Sequence, residues 1–416
     1  MKTMFKKGML GARFATAAFA AAPALQAQET VKFGLFHDFT KVYTFVADEF
    51  SQGQRDYLTL INEEGGIKGQ KFEAIVRDHG NEPQRGLELY NRAREEGAIY
   101  FMFLSTPVAN AVVPRALQDK VVLGTPLHGR GDTMVGETFP YVFPMMASYW
   151  SQAARLLKYV EDTQGGLKGK KIAHVHIDTP FGREPLPILE KLAQQKSFEL
   201  RSFAYPSPGN EQSAVWSDVR RYRPDFVLIW GAGNSQMVSV REAVRNGIDP
   251  AMFLTVVWLT ETDMKNIGES TAIGAKRVEV VQPGRDHPII QRILDKVYKA
   301  GKGAGPEARV GNTYYNYGVA DMVIATEGAK LALEKLGPPL TGEKLKAGME
   351  MIRNLDTKGF MPPVTITPQD HQGGGQARVS QWDGKAWVPV SDWAAAYQDV
   401  VWEEARASAA KFSQGK

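Results

Sequence analysis

Two hydroxyl side chains, Ser105 and Thr106, follow an apolar run at 99–104 and precede Pro107. Ser or Thr before Pro is typical of the first turn of a helix, because a hydroxyl caps the free N–H groups and proline needs no partner there. A helix N-terminus of this kind suits a bound carboxylate. The alternative is that Ser105 and Thr106 only cap the helix, so the surrounding elements must decide between the two interpretations.

A polar loop, LHGRGD at 127–132, follows the next apolar run at 121–123. His128 could hydrogen-bond a ligand or remain a solvated loop residue. Arg130 could hold a carboxylate through two hydrogen bonds, or it could pair with Asp132 inside its own turn. The Arg-Gly-Asp triplet carries no weight as an adhesion motif, because three residues match by chance.

Alternating strand and helix patterns place both segments at one edge of a sheet. The predicted strands lie at about 31–36, 72–76, 99–104, 121–123, 141–143, 172–177, 198–204, 226–230 and 252–257. Repeated βαβ units predict an α/β fold of two doubly wound, Rossmann-like lobes with a break near 144–148. Ligands of such sheets bind beyond the carboxyl ends of the strands.

The last third of the chain departs from this alternation. Helices are predicted at 288–300, 313–336 and 342–352, and two short strands at 377–382 and 387–390 form a hairpin with Asp383-Gly384 at its turn. From Asp392 to the end we expect a peripheral helix and a frayed end, with residues 396–416 as a peripheral C-terminal tail.

The first residues are typical of an export signal. Residues 1–13 carry four cations and no acid, an apolar, Ala-rich run follows at 14–25, and small residues lead to Ala27. The apolar run is too short to span a bilayer. We therefore expect a cleavable signal peptide over residues 1–27 and a periplasmic mature chain.

Composition restricts the possible partners. The chain has 416 residues, enough for two or three domains. Without the four cations of the signal, the 50 Lys and Arg fall to 46, equal to the 46 Asp and Glu, which gives no support to a nucleic-acid partner. The chain has no Cys, which excludes disulfides, a Cys-type zinc site and a thiol-linked lipid anchor. We expect an unanchored monomer.

Two motifs resemble other kinds of site. Gly231-Ala-Gly233-Asn-Ser-Gln236 resembles a dinucleotide fingerprint, but Gln236 replaces its third glycine. His174 and His176 share one face of a strand, without a third metal ligand placed by the sequence. A Ser-His-Asp arrangement, a P-loop and an HExxH motif are also missing. We therefore expect no catalysis, no cofactor and no metal.

Four segments together resemble type I periplasmic binding proteins, specifically the branched-chain-amino-acid (leucine/isoleucine/valine) group of ABC transporters. They are INEEGGIKGQKFEAIVRDHGNEPQRG at 61–86, YVFPMMASYWSQAARLLKYV at 141–160, HIDTPFGRE at 176–184 and the 313–336 segment. The resemblance covers about 31–390. It implies two lobes joined by three crossovers, near 144–148, 281–284 and 356–363, with the ligand in the cleft and delivery to an ABC permease.

The resemblance also implies domain boundaries and a site. An N-terminal lobe would comprise 28–145 and 283–357, and a C-terminal lobe 146–282 and 358–395. The implied ligand contacts fall at Ser105, Thr106, the loop Leu127–Arg130, Phe181, Ala232 and the segment Val257–Glu261. Ala232 and Val257 lack the carboxylate that an α-ammonium needs, and Glu261 is the only acid nearby.

The remaining aromatic and donor residues favour a ligand with a carboxylate and an apolar or aromatic body. Tyr43 follows the first strand and would face the cleft, whereas Trp230 and Trp258 end strands and could instead be core residues. The complete set of predicted ligand-binding residues is Tyr43, Ser105, Thr106, Leu127, His128, Arg130, Phe181, Trp230, Ala232, Trp258 and Glu261.

The expected function is that of the periplasmic binding component of an ABC importer, which takes an amino acid or a related carboxylate by hinged closure of its lobes. One alternative is a sensor that presents a small solute to a receptor. A second alternative, from another class, is a secreted nucleotide-dependent α/β enzyme.

Overall fold

The computed structural model describes residues 30–415, together with residues 1 and 3. The expected signal peptide, 1–27, therefore lies outside the described residues except at those two positions. Within the described range, no helix is both long and apolar enough to cross a membrane.

A five-stranded parallel sheet forms the core of the first lobe. Its strands are β1 (Val31–His37), β2 (Phe72–Asp78), β3 (Ala98–Phe103), β4 (Val122–Gly124) and β5 (Val142–Phe143). Their order is β2-β1-β3-β4-β5, and every neighbouring pair is parallel. The connecting helices are α1 (Thr44–Glu63), α2 (Pro83–Glu95) and α3 (Thr106–Asp119). Because both faces of the sheet are covered at its centre, β3, β4 and β5 are apolar throughout, whereas the edge strand β2 carries charged residues.

A seven-stranded sheet forms the core of the second lobe. Its strands are β6 (Lys171–Ile177), β7 (Glu199–Tyr205), β8 (Phe226–Trp230), β9 (Phe253–Thr255), β10 (Lys276–Glu279), β11 (Arg378–Trp382) and β12 (Trp387–Pro389). The order is β12-β11-β10-β9-β8-β6-β7. Strands β6 to β10 are parallel, and the predicted hairpin of β11 and β12 adds antiparallel strands at one edge.

The helices of the second lobe follow its strands in chain order. They are α4 (Tyr149–Thr163), α5 (Pro180–Arg183), α6 (Leu186–Lys196), α7 (Ser213–Tyr222), α8 (Asn234–Arg245) and α9 (Glu261–Ile267). Helices α5 and α6 are separate, because Pro185 lies between them at a helix start, where proline is tolerated.

The chain then returns to the first lobe through α10 (Pro288–Ile293), α11 (Thr313–Leu336) and α12 (Gly342–Met349). A π-helical turn over Leu294–Tyr298 continues α10. Helices α1 and α11 approach so closely that a Cβ at Gly53 would lie 2.1 Å from the Tyr315 carbonyl oxygen. The confirmed fold is therefore two α/β lobes with largely parallel sheets, between which the chain passes three times: after β5, after β10 and before β11.

The last helix, α13 (Gln398–Ser413), lies in the segment that was expected to be a peripheral tail. Its buried face consists of Val400, Val401, Ala405 and Ala409. The helix packs on α4 and α6 of the second lobe and on the turn Gly131–Met134 of the first lobe. The C-terminal helix therefore connects the two lobes.

Candidate functional site

An inner cavity lies between the two lobes. Both lobes contribute to its wall, and the described residues that line it include no Asp, Glu, Lys or Arg. The lining residues are Tyr43, Phe45, Val46, Leu104, Ser105, Thr106, His128, Tyr149, Phe181, Ala232 and Trp258. The predicted residues that the structure brings together here are Tyr43, Ser105, Thr106, His128, Phe181, Ala232 and Trp258.

The first lobe contributes the end of β3 and the start of α3. Ser105 is the N-cap of α3: its Oγ accepts from the Val108 N–H at 3.4 Å and donates to Asn81 Oδ1 at 2.6 Å. Thr106 Oγ1 accepts from the Gly129 N–H at 3.2 Å. The hydroxyl hydrogen of Ser105 is therefore used within the protein, whereas that of Thr106 remains available to a ligand.

The loop after β4 brings His128 to the same wall. Its Nδ1 lies 2.8 Å from the carbonyl oxygen of Pro126, and because that oxygen can only accept, Nδ1 carries the hydrogen. Burial lowers the pKa of His128 to about 4, so the imidazole is neutral at pH 7. Its other nitrogen, Nε2, is buried and has no hydrogen-bond partner among the described residues.

The second lobe contributes an aromatic wall. The rings of Tyr149 and Phe181 lie 5.1 Å apart, and Trp258 Nε1 donates to the Tyr149 hydroxyl oxygen at 2.8 Å. Burial raises the pKa of Tyr149 well above its ordinary value, so its hydroxyl keeps a hydrogen that it can donate. The wall therefore combines ring surface with one hydroxyl donor.

The lobes touch beside the cavity, where α1 meets α8. The ring of Phe45, at the start of α1, covers Gly233 at the start of α8, where a Cβ would lie 2.4 Å from the ring. Gly233 also has a φ of 55°, which glycine adopts without strain. A larger residue at this position would push the two lobes apart.

An outer cavity adjoins the inner one and shares Tyr43, Phe45, Phe181 and Ala232 with it. Its other lining residues include Lys41, Asn210 and Asn234, which are exposed. The inner cavity is thus reached from a wider and more polar mouth.

Four predicted residues do not line the inner cavity. Arg130 donates two hydrogen bonds of 2.6 Å to Asp132, the self-paired turn that the sequence left open. Trp230 is fully buried with its ring edge on Tyr149. Glu261 accepts from the N–H and hydroxyl of Thr313, at the start of α11. Leu127 is buried in the turn before His128.

Four residues that line the inner cavity were not predicted from the sequence: Phe45, Val46, Leu104 and Tyr149. Phe45 and Val46 follow Tyr43 in the first turn of α1, so the placement of Tyr43 was a usable signal for them. Leu104 immediately precedes Ser105, and Tyr149 begins α4 inside the segment 141–160 that carries the family resemblance. The four residues that were not predicted therefore lie at, or next to, the start of a helix beside the cleft.

The two motifs that resemble a dinucleotide site and a metal site lie inside the second lobe. Gln236 is fully buried in the first turn of α8, and its side chain packs against the lobe. The rings of His174 and His176 stack 4.5 Å apart. Within the described part of the chain, no three His, Cys, Asp or Glu side chains are grouped so that they could hold a metal ion.

A two-lobed α/β fold with a cavity between the lobes defines a class of proteins that bind ligands in an interlobe cleft. Comparison with known proteins identifies the family. The family model described as "Periplasmic binding protein" matches residues 30–386, and the chain belongs to this family.

Individual relatives are more distant. The leucine-specific-binding protein of Salmonella typhimurium is 21% identical over 343 residues, covering 81% of this chain and 87% of that protein. A solved structure from the Pseudomonas fluorescens group, described as an ABC transporter permease, is 32% identical, with a TM-score of 0.85 and coverage of 93% of this chain and 97% of that chain. A branched-chain amino acid ABC transporter protein from Thermus thermophilus with bound valine shares the fold at 19% identity, with a TM-score of 0.79 and coverage of 91% and 99%.

Proposed function

We propose that this protein is the periplasmic solute-binding subunit of an ABC importer and that its ligand occupies the inner cavity. Membership of the periplasmic binding protein family supports the class of function. The observation that carries the proposal is the inner cavity, which is formed by both lobes beside the contact of Phe45 with Gly233. Because both lobes form its wall, the cavity changes shape when the lobes open and close, which is the hinge motion of this class.

The proposed ligand is an amino acid or a related small carboxylate with an apolar or aromatic body. The rings of Tyr149, Phe181 and Trp258 offer the apolar surface. The start of α3 offers the Thr106 hydroxyl and the positive end of a helix dipole to a carboxylate. The lining offers no acidic side chain to an ammonium group, which favours carboxylates without an amine.

The names of structural neighbours support the same range of ligands. One neighbour is described with bound valine, a second is a solute-binding protein from R. palustris in complex with benzoate, and a third is a fatty acid substrate-binding protein from Thermomonospora curvata. These neighbours are 16–20% identical to this chain, so they share its fold and leave its own ligand to experiment.

The partners follow from the same proposal. A closed, ligand-loaded form would be the form that the ABC permease recognises, so that the ligand acts by shifting the population from open to closed. The proposed binding protein acts as a monomer, works in the periplasm after removal of residues 1–27, and performs no reaction on its ligand.

The test is thermal unfolding of residues 28–416 with L-leucine, L-valine, benzoate, phenylacetate, octanoate and, as the enzyme alternative, ATP and NAD. A ligand at about 100 times its Kd stabilises the folded state by about 2.7 kcal/mol. We expect stabilisation by at least one carboxylate and none by the nucleotides. Stabilisation by nucleotides alone, or turnover of any compound, would contradict the proposal.

A cavity-filling variant locates the binding. Ala232 lines both cavities, so Ala232→Trp should abolish the ligand-induced stabilisation while the free protein still unfolds cooperatively. The matched control is Ala193→Trp, since Ala193 lies on α6 away from both cavities. Unchanged ligand binding by Ala232→Trp would place the ligand elsewhere.

A further inference from the structure

The inner cavity is built without a charged side chain, although the proposed ligand is an anion. The charged residues expected nearby have other partners, since Arg130 pairs with Asp132 and Glu261 bonds to Thr313. A carboxylate in the cavity would find hydroxyl donors and the start of α3 but no cation. Burial of an uncompensated charge is costly, so charge balance needs a further source.

Among the described residues that line the inner cavity, His128 is the side chain that can take up a proton and become a cation. Its Nδ1–H is committed to the Pro126 carbonyl at 2.8 Å, so in the neutral ring Nε2 presents a lone pair. A carboxylate oxygen beside that lone pair would be repelled. The imidazolium form removes the conflict, because it donates from Nδ1 to Pro126 and from Nε2 to the ligand.

Building on the proposed function, we propose that ligand and proton bind together at His128. When a carboxylate enters the inner cavity, Nε2 takes one proton from solvent and donates it as a hydrogen bond to a ligand oxygen. The buried pair is then an imidazolium and a carboxylate, with no net charge. The buried Nε2, which lacks a partner among the described residues, is the atom that would donate the hydrogen bond to the ligand.

The other titratable groups around His128 stay neutral or paired near pH 7. Burial lowers the pKa of His79 to about 4 and that of His37 to about 3, and both rings lie close enough to His128 for their charges to interact. Burial raises the pKa of Tyr43 and of Tyr149.

The acids near this wall are held by other groups. Asp38, in the loop after β1, accepts hydrogen bonds from four backbone N–H groups, at residues 40–43. In the loop after His128, Asp132 is paired with Arg130. Across the cleft, Glu184 accepts from the Gly131 N–H, and burial raises its pKa to about 8. Glu184 is thus a second group that could titrate as the cleft closes, and the experiment must separate it from His128.

The sign of the pH dependence follows from linkage. The ligand-free protein holds His128 neutral at pH 6–8, and the carboxylate complex holds one additional proton. Affinity for a carboxylate should therefore rise about tenfold for each pH unit of acidification, up to about a hundredfold between pH 8 and pH 6. An uncharged amide of the same shape needs no such proton.

The test is titration calorimetry with two matched pairs of probes, benzoate with benzamide and octanoate with octanamide, at pH 6, 7 and 8. Each pH is measured in two buffers of different ionisation enthalpy, which reports the protons taken up. We expect the carboxylate to take up close to one proton more than its amide. Any pH dependence shared by acid and amide belongs to Glu184 and cleft closure, and should disappear in Glu184→Gln.

The variant His128→Gln completes the experiment. Glutamine can donate to a carboxylate without taking up a proton, so the remaining affinity for the carboxylate should become independent of pH, with folding checked by thermal unfolding. Equal proton uptake by acid and amide would overturn the proton-coupled site and leave the solute-binding function intact. Failure of every carboxylate to bind at any pH would overturn both proposals.

Discussion

The Gly131 N–H donates a hydrogen bond of 2.6 Å to Glu184 Oε1, and this bond joins the ligand-side loop of the first lobe to the start of α6 in the second. The indole of Trp150 reinforces the contact, since its Nε1 donates to the Glu184 carbonyl at 2.7 Å. A Cβ at residue 131 would collide with that indole, which leaves room only for glycine. The bond can exist only when the lobes are together, so it stabilises the closed form.

Removal of this bond should favour the open form. We expect Glu184→Ala to weaken ligand binding by about fivefold, since a hydrogen bond contributes about 1 kcal/mol. Small-angle X-ray scattering should show a larger radius of gyration for the free variant. The matched control is Glu184→Gln, which keeps the acceptor oxygen. An unchanged radius and affinity in Glu184→Ala would show that the bond does not influence closure.

The same carboxyl should make closure of the free protein depend on pH. Burial raises the pKa of Glu184 to about 8 in the closed form, whereas an exposed glutamate titrates near 4.3. The closed form therefore binds the Glu184 proton more tightly than the open form does. The resulting stabilisation of the closed form relative to the open form is complete below about pH 4 and is lost as the pH rises to about 8. Scattering at pH 6 and pH 9 should show opening at the higher pH in the wild type and a smaller change in Glu184→Gln. The reverse direction would contradict this assignment.

Thr106 offers a direct test of the carboxylate position. Thr106→Val keeps the shape of the side chain but removes the hydroxyl that accepts from Gly129 and is free to donate. We expect the variant to bind benzoate about tenfold more weakly, because a hydrogen bond to a charged group contributes about 1.5–3 kcal/mol. The control is Thr326→Val, whose hydroxyl is buried and bonded to the Met322 carbonyl on α11, away from the cavity. Equal affinities for the two variants would move the carboxylate away from α3.

A buried hydrogen-bond network in the first lobe should make the free energy of unfolding depend on pH. Asp321 on α11 accepts from Tyr100 at 2.7 Å and from Gln54 at 2.6 Å. Burial raises the pKa of Asp321 to about 7, above its unfolded value near 3.9. A raised carboxyl pKa stabilises the fold fully below pH 4, and this contribution is lost as the pH rises to about 7.

Asp321→Asn should remove that dependence, because asparagine keeps an acceptor oxygen and does not ionise. Urea unfolding at pH 5 and pH 8 should show a loss of a few kcal/mol in the wild type relative to the variant. A parallel pH dependence in both proteins would assign the effect to another group.

Local signals in the sequence were enough for the fold and for seven of the eleven described residues that line the inner cavity. The Ser105-Thr106-Pro107 start of α3 follows a buried strand. Both the helix cap and the strand can be recognised from a few neighbouring residues of the sequence. The partner of Arg130 depended on a choice between a ligand and Asp132 that spacing alone left open. Glu261 was assigned to the ligand because only the tertiary structure places Thr313, 52 residues later in the chain, beside it. The domain boundaries stay a prediction.

The packing of the C-terminal helix on both lobes was also not predicted from the sequence. Phe412 lies 4.7 Å from the ring of Phe139 and 4.9 Å from the Arg130 guanidinium, and Ser408 Oγ donates to Asp132 Oδ2 at 2.8 Å. Helix α13 thus packs on the outer side of the 127–134 loop, and the inner side of this loop carries His128. We expect Phe412→Ala to lower the free energy of unfolding by about 1–2 kcal/mol, through lost aromatic packing, and to weaken ligand binding.

The matched control for that variant is Trp402→Ala, which removes an aromatic side chain of the same helix whose ring lies 5.4 Å from the Arg406 guanidinium. Both variants should lose stability, measured by urea unfolding, but only Phe412→Ala should also lose affinity for the ligand. Because Arg130 and Asp132 connect α13 to the wall of the cavity, the second effect tests whether the C-terminus positions the site. Equal affinities in the two variants would show that α13 stabilises the fold alone.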